Sequence, residues 1–268
     1  MPGKLFIDPL GVNAESQLNT LCCSNILSDI NNLDRTESYN NYIKNYKKLK
    51  EGKFTPPQAK QKSNYYFLID YLGSVVGITT KFQSYGFINK VGKFISRFKL
   101  KTQIIDVSEL PSDGFIFLPL QVSNDSQILL NSTIDNLDAI KTAHKMGIER
   151  GVDLVVKLHP AEFNLDEIEK IRTYCIRNNI TLSNLNTNDL INKSECVVTI
   201  NSTVGFESLI FNKKVYFLGD SFYARFKDDI DIRNYINNYL VNVDYFGNDE
   251  IEIDMILNHI QIISGINK

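Results

Sequence analysis

A chain of 268 residues can form one large domain or two small ones around a buried core, and 43% hydrophobic with 22% charged residues excludes disorder as the default state. A formal net charge of −2 lacks the basic excess that marks nucleic-acid binding, so no nucleic-acid partner is expected. No stretch approaches the ~20 apolar residues of a membrane span, and Met1-Pro2-Gly3-Lys4-Leu5-Phe6-Ile7-Asp8 does not read as a signal peptide. The expected location is therefore cytoplasmic. Cys22, Cys23, Cys175 and Cys196 lack the spacing of a zinc ribbon or a CxxC redox pair and read as reduced, buried thiols.

Residues 4–7 predict a short strand, with Asp8-Pro9-Leu10-Gly11 as the turn that ends it. A helical pattern follows, with Leu18, Leu21, Cys22 and Ile26 on one face. Asp8, Asn13 and Glu15 fall at the mouth of this unit, either as functional polar groups or as caps of a turn and a helix. Residues 38–53 alternate Tyr, Asn and Lys and read as a polar helix without a clear apolar stripe, after which Pro56-Pro57 interrupts regular structure. Residues 65–71 read as a buried strand. No acidic residue lies between Asp70 and Asp106, and Phe87, Val91, Phe94, Ile95 and Phe98 sit opposite Lys90, Lys93, Arg97 and Lys101 at helical spacing. This basic segment, 81–101, has two readings: a peripheral contact with the inner membrane or a lipid-linked acceptor, or a core-facing helix with a solvated basic back.

From residue 114 onward strands and helices alternate. Residues 115–120, 153–157, 180–182, 196–200 and 215–218 predict strands, and helices follow from 134, 164, 204 and 251. Gly151 is the expected C-cap of the first of these helices, and Asn164 with Glu167 a capping-box variant at the next. The fold class is thus α/β, with a doubly wound Rossmann-like domain over 114–268 and an amino-terminal segment, 1–113, before it. Neither a glycine-rich dinucleotide fingerprint nor a Walker A loop is present, which weighs against hydride transfer and ATP hydrolysis.

Polar residues crowd three of the predicted strand ends, where open α/β sheets bind ligands. They are Gln121-Val122-Ser123-Asn124-Asp125-Ser126, Lys157-Leu158-His159-Pro160 and Asn201-Ser202-Thr203-Val204-Gly205-Phe206-Glu207. The last places hydroxyls and backbone N–H groups where a helix begins, a setting suited to phosphate. A sugar nucleotide needs this set of groups. Lys157 and His159 can balance phosphate charge, Ser202 and Thr203 can donate to it, Glu207 can accept from ribose hydroxyls, and Asp125 is the best-placed carboxylate for nucleophilic or base work.

The ordered set Gln121-Val122-x-x-Asp125-Ser126, His159-Pro160, Asn201-Ser202-Thr203-Val204-Gly205-Phe206-Glu207 and Gly219-x-x-Phe222-Tyr223 resembles the bacterial capsule and lipopolysaccharide β-Kdo transferases. These take 3-deoxy-D-manno-oct-2-ulosonic acid (Kdo) from CMP-Kdo. The resemblance implies a GT-B-like architecture of two Rossmann-like domains, 1–113 on the acceptor side, short or incomplete, and 114–268 on the nucleotide-sugar side. It implies retaining transfer to a surface polysaccharide or its lipid-linked precursor, with Asp125 as the nucleophile and His159, Ser202 and Thr203 holding CMP. The partners are then CMP-Kdo and a glycan or glycolipid acceptor, with no metal and no cofactor. Glu15 is the general acid/base candidate by position alone. A CMP-sialic acid transferase and a non-catalytic subunit of capsule assembly or export are the alternative readings.

Overall fold

Five short runs of β-branched and aromatic residues pair in parallel to form one sheet, in the order β3-β2-β1-β4-β5. The strands are β1 (Phe115–Pro119), β2 (Asp153–Lys157), β3 (Thr181–Leu182), β4 (Cys196–Thr199) and β5 (Lys214–Phe217). The structure is a computed structural model that describes residues 1–20, 36–51, 110–112, 114–162, 164–244 and 250–265. The predicted strand at 65–71 and the basic segment 81–101 lie outside these residues. The chain runs outward from β1 to β2 and β3, then returns to lay β4 on the other side of β1. Its direction therefore reverses between β1 and β4, and in sheets of this kind the ligand crevice opens beyond the carboxyl ends of those two strands.

Alternation along β1 divides the core in two. Ile116 and Leu118 face Ala139, Ile140 and Ala143 of α4 (Asn136–Arg150) and Ile171 and Cys175 of α5 (Leu165–Arg177). Phe115 and Phe117 face Leu190 and Ile191 of α6 (Thr187–Lys193). Side-chain oxygens close the helix starts. Asp135 accepts from the Asp138 N–H, and Asn164 from those of Asp166 and Glu167, each cap contributing about 1 kcal/mol. Gly151 ends α4 at φ 67°, a left-handed conformation that glycine adopts without the clash of a Cβ.

Helix α7 (Thr203–Ile210) packs so tightly on the sheet that Gly205 has no room for a side chain. A Cβ there would stand 2.5 Å from Phe217 Cε1 and 2.9 Å from Thr199 Cγ2. Gly205→Ala is accordingly expected to destabilise the fold by about 1–3 kcal/mol in a denaturant melt; an unchanged midpoint would contradict this packing.

The amino-terminal residues share a core with the carboxyl-terminal elements. In α2 (Thr36–Glu51), Tyr39, Tyr42, Ile43 and Tyr46 form a stripe at helical spacing. They pack against Phe206, Phe222, Tyr235 and Tyr239, which come from α7, a 3₁₀ turn (Phe222–Arg225) and a π-helical turn (Tyr235–Tyr239). The polar helix predicted at 38–53 thus has a buried face, made of tyrosines. The expected strand at 4–7 is corrected: among the described residues Leu5 makes an isolated antiparallel bridge to Val241 and no ladder. Asp8 is a structural tie. Its carboxylate accepts from Ser16 Oγ (2.5 Å), Tyr239 Oη (2.6 Å) and the Leu10 N–H (2.9 Å), joining the first turn to the π-helical turn. Among the described residues no helix is long and apolar enough to cross a membrane.

Candidate active site

A cavity of about 1170 Å³ opens at the carboxyl ends of β1, β2 and β4. Three sequence-distant groups meet on its wall: Asp125 from the loop after β1, His159 from the loop after β2, and Ser202-Thr203 from the loop after β4. Gln121, Asn201, Glu207 and Tyr223 also line it.

The wall is set by a buried amide pair. Gln121 is 7% and Asn201 2% exposed. Gln121 Nε2 donates to Asn201 Oδ1 (2.9 Å), the Asn201 N–H donates to Gln121 Oε1 (3.1 Å), and Asn201 Nδ2 donates to the Gln127 carbonyl (2.8 Å). The loops after β1 and β4 are thereby locked across the point where the strand order reverses. Asn13, whose amide donates to the Asn201 carbonyl at 3.1 Å, brings the amino-terminal loop onto the same wall.

Asp125 is half-buried and begins α3 (Ser126–Asn131), a short helix absent from the sequence expectations. Its Oδ1 accepts from the Gln127 N–H at 2.9 Å, while Oδ2 makes no hydrogen bond among the described residues. The carboxylate is therefore both an N-cap and a group facing shared cavity space. Ser202 caps α7 in the same way, accepting from the Val204 N–H at 3.2 Å. That bond uses only a lone pair, so the hydroxyl proton stays available to a ligand.

His159 sits at the rim with its Nδ1 accepting from the Ala161 N–H at 3.1 Å. In the neutral ring the proton then resides on Nε2, which becomes a donor. Desolvation by the surrounding loops holds this imidazole below its ordinary value, and Asp125 and Glu162 pull it back up. Tyr223 stacks on Phe206 with ring centroids 5.0 Å apart, and burial pushes its hydroxyl up to about 12. It is a neutral donor across the physiological range.

Four of the expected site residues do not join the cavity. Lys157 shares a sheet face with Val155, two residues earlier, and Nζ is drawn to the Leu185 carbonyl (2.6 Å) and Thr187 Oγ1 (3.0 Å), away from the crevice. Burial there lowers its pKa. Ser126 and Pro160 are exposed and outside the lining, as is Glu15 on the 3₁₀ turn Asn13–Glu15. The geometry thus offers no support to Glu15 as acid or base.

Several residues that sequence reasoning passed over do line the cavity. Lys50, on the last turn of α2, pairs with Glu207 at 2.7 Å, and burial, together with a hydrogen bond from the Tyr46 hydroxyl to the same carboxylate, drives Tyr46 upward. Both ends of the pair are mostly buried, with side chains 20% and 18% exposed. The only available signal was the tyrosine spacing of α2, which places Lys50 one turn beyond Tyr46. Buried Glu162, behind the lining, was also missed.

A family profile described as capsule polysaccharide biosynthesis protein matches residues 87–226, a little over half of the chain. Protein FixF of Sinorhizobium fredii (strain NBRC 101917 / NGR234) is 37% identical over 115 residues, 41% of this chain and 27% of that protein. The chain therefore spans about a quarter of the length of that curated relative. Two solved structures from Thermosulfurimonas dismutans are similar at lower levels. KpsC described as a beta Kdo 2,7 transferase has 18% identity and a TM-score of 0.41, over 67% of this chain and 61% of that one. KpsC described as a beta Kdo 2,4 transferase has 19% identity and a TM-score of 0.39, over 59% and 55%. By the extent of the profile match, which includes all three cavity loops, the chain belongs to the capsule polysaccharide biosynthesis protein family.

Proposed function

We propose that the protein is a retaining β-Kdo glycosyltransferase using CMP-Kdo as donor and a surface polysaccharide or its lipid-linked precursor as acceptor. One observation carries the reading: Asp125, His159 and the amino end of α7 line a single cavity at the point where the strand order reverses. The motif order that resembles the Kdo transferases, together with membership of a capsule biosynthesis family, supports CMP-Kdo as the donor. In the proposed GT-B arrangement 114–268 forms the nucleotide-sugar side, and 1–113 contributes the acceptor side.

In this reading CMP lies against Ser202, Thr203 and His159. An Asp125 carboxylate oxygen attacks the anomeric carbon of Kdo, and the bond from that carbon to the phosphate oxygen breaks, releasing CMP with the electron pair. An acceptor hydroxyl then displaces the carboxylate, losing its proton to a base. Two displacements on one carbon retain configuration. The anionic wall at Asp125 also favours the positive charge that develops on the sugar ring. Incubation with CMP-Kdo and, separately, CMP-sialic acid tests the donor. CMP release from the first alone is expected; release from the second alone would make this a sialic acid transferase, and release from neither would favour a non-catalytic assembly subunit.

The reading also fixes a pH dependence. In the free protein desolvation holds His159 below the ordinary imidazole value of 6.5. A phosphate dianion beside the ring favours imidazolium and raises it. Between the lowered free value and the raised bound value, binding takes up a proton, so CMP affinity rises as pH falls, by at most about tenfold per pH unit. Calorimetry in buffers of different ionisation heat is expected to show proton uptake, largely lost in His159→Ala. Proton release, or uptake unchanged in that variant, would remove His159 from the phosphate site.

A further inference from the structure

Asp125 and His159 sit on separate turns beyond the ends of β1 and β2, yet both must keep a set separation to act on one donor. The first turn is closed by the Asp125 N–H donating to the Val122 carbonyl at 2.9 Å. In the second, the Glu162 N–H donates to the His159 carbonyl, also at 2.9 Å. Between the two lies the Glu162 side chain, only 3% exposed. Its Oε2 accepts from the Ser123 N–H at 2.6 Å, and its Oε1 from the Asn164 N–H at 2.8 Å. A buried carboxylate is costly unless its oxygens are satisfied, and here each oxygen holds a different segment: the β1 loop and the start of α5.

We propose that Glu162 is a positioning residue, which rests on the nucleotide-sugar reading of the cavity: it braces the loop of Asp125 against the loop of His159 and sets the gap that the donor spans. Glu162 does not line the cavity, so it acts through these two residues. The groups bearing on the imidazole are Asp125 from the β1 loop, Glu162 from its own turn and Lys157 from β2. The two carboxylates favour the imidazolium and Lys157 disfavours it. Removing the Glu162 charge therefore lowers the pH at which His159 titrates.

Glu162→Gln keeps the volume but turns an NH₂ toward one of two N–H donors, so one tie must open. The chain has 3 histidines, which makes the His159 titration separable by NMR. In Glu162→Gln its midpoint is expected to move to lower pH, and kcat to fall by about 10²-fold, the scale of an ångström-size misplacement, with a smaller change in KM for CMP-Kdo. Glu162→Asp keeps the charge but shortens the brace, so it retains more of the midpoint than of kcat. A residue that only stabilised the fold would lower Tm without moving either quantity in the remaining folded protein. A folded Glu162→Gln with wild-type midpoint and kcat overturns the proposal. If that variant does not fold, wild-type kcat in Glu162→Asp does so. Wild-type protein that fails to bind CMP sinks the donor reading instead, and the His159 midpoint still decides the role of Glu162.

Discussion

Asp125→Asn is expected to lower Kdo transfer by about 10⁴-fold, comparable to losing an essential member of a nucleophilic machinery, while leaving Tm and CMP affinity close to wild type. The choice of Asn separates the two roles of this side chain. As an N-cap, Asn is about as good as Asp, so the bond from the Gln127 N–H to the side-chain oxygen at 2.9 Å survives. As a nucleophile the amide is inert. Asp125→Ala removes both functions and should add about 1 kcal/mol of destabilisation from the lost cap. Parallel assays of transfer and thermal melting check this. If Asp125→Asn retained most of the activity, Asp125 would be a structural cap and the nucleophile would have to lie elsewhere.

The largest effect on stability is expected at Asn201. Its side chain makes a buried hydrogen bond with Gln121 and a part-buried one to the Gln127 carbonyl. Asn201→Ala leaves both partners unsatisfied where water has little access. At ~1–3 kcal/mol for the buried Gln121 amide and about 1 kcal/mol for the part-buried carbonyl, the loss is about 2–4 kcal/mol. For a chain of this size that lowers Tm by roughly 5–15 °C. Because the bonds are reciprocal, Gln121 and Asn201 should couple. Replacing both with leucine is expected to cost less than the sum of the single replacements. Additive losses in a double-mutant cycle would show that the amides act independently and that the two loops are held by something else.

The sheet and its helices were legible because each strand is a short run of β-branched or aromatic residues closed by polar ones, and each helix start carries its own cap. Gly151, Asn164 and Ser202 occupy the positions that their chemistry requires. The convergence of Asp125, His159 and Ser202 was legible for a related reason: parallel strands deliver all their carboxyl ends to one edge. Lys157 was misjudged because it is still within β2, so the alternation of the strand, and not the direction of the crevice, decides where its amine goes. His159, two residues beyond, has left the strand and escapes that rule.

The aromatic core was not legible. Residues 222–239 pass through 3₁₀, α-helical and π-helical turns in succession, so no single period organises their side chains. Its partners on α2 are tyrosines, whose hydroxyls hide an apolar stripe in a segment otherwise rich in Asn and Lys. Their contacts span most of the chain, and the pairing of Lys50 with Glu207 is one consequence that reaches the cavity. Glu162 was hidden for another reason, since two residues after a histidine-proline turn nothing local distinguishes a buried brace from a solvated carboxylate.

The proposed transfer depends most on Asp125 receiving the sugar from a donor bound between His159 and α7. Intact-mass spectrometry of the protein after incubation with CMP-Kdo, without acceptor, tests this directly. The predicted result is a mass increase equal to one Kdo residue, absent in Asp125→Asn and chased off by acceptor. An adduct that persists in Asp125→Asn, or Kdo transfer to acceptor by protein that forms no adduct in the absence of acceptor, would contradict it.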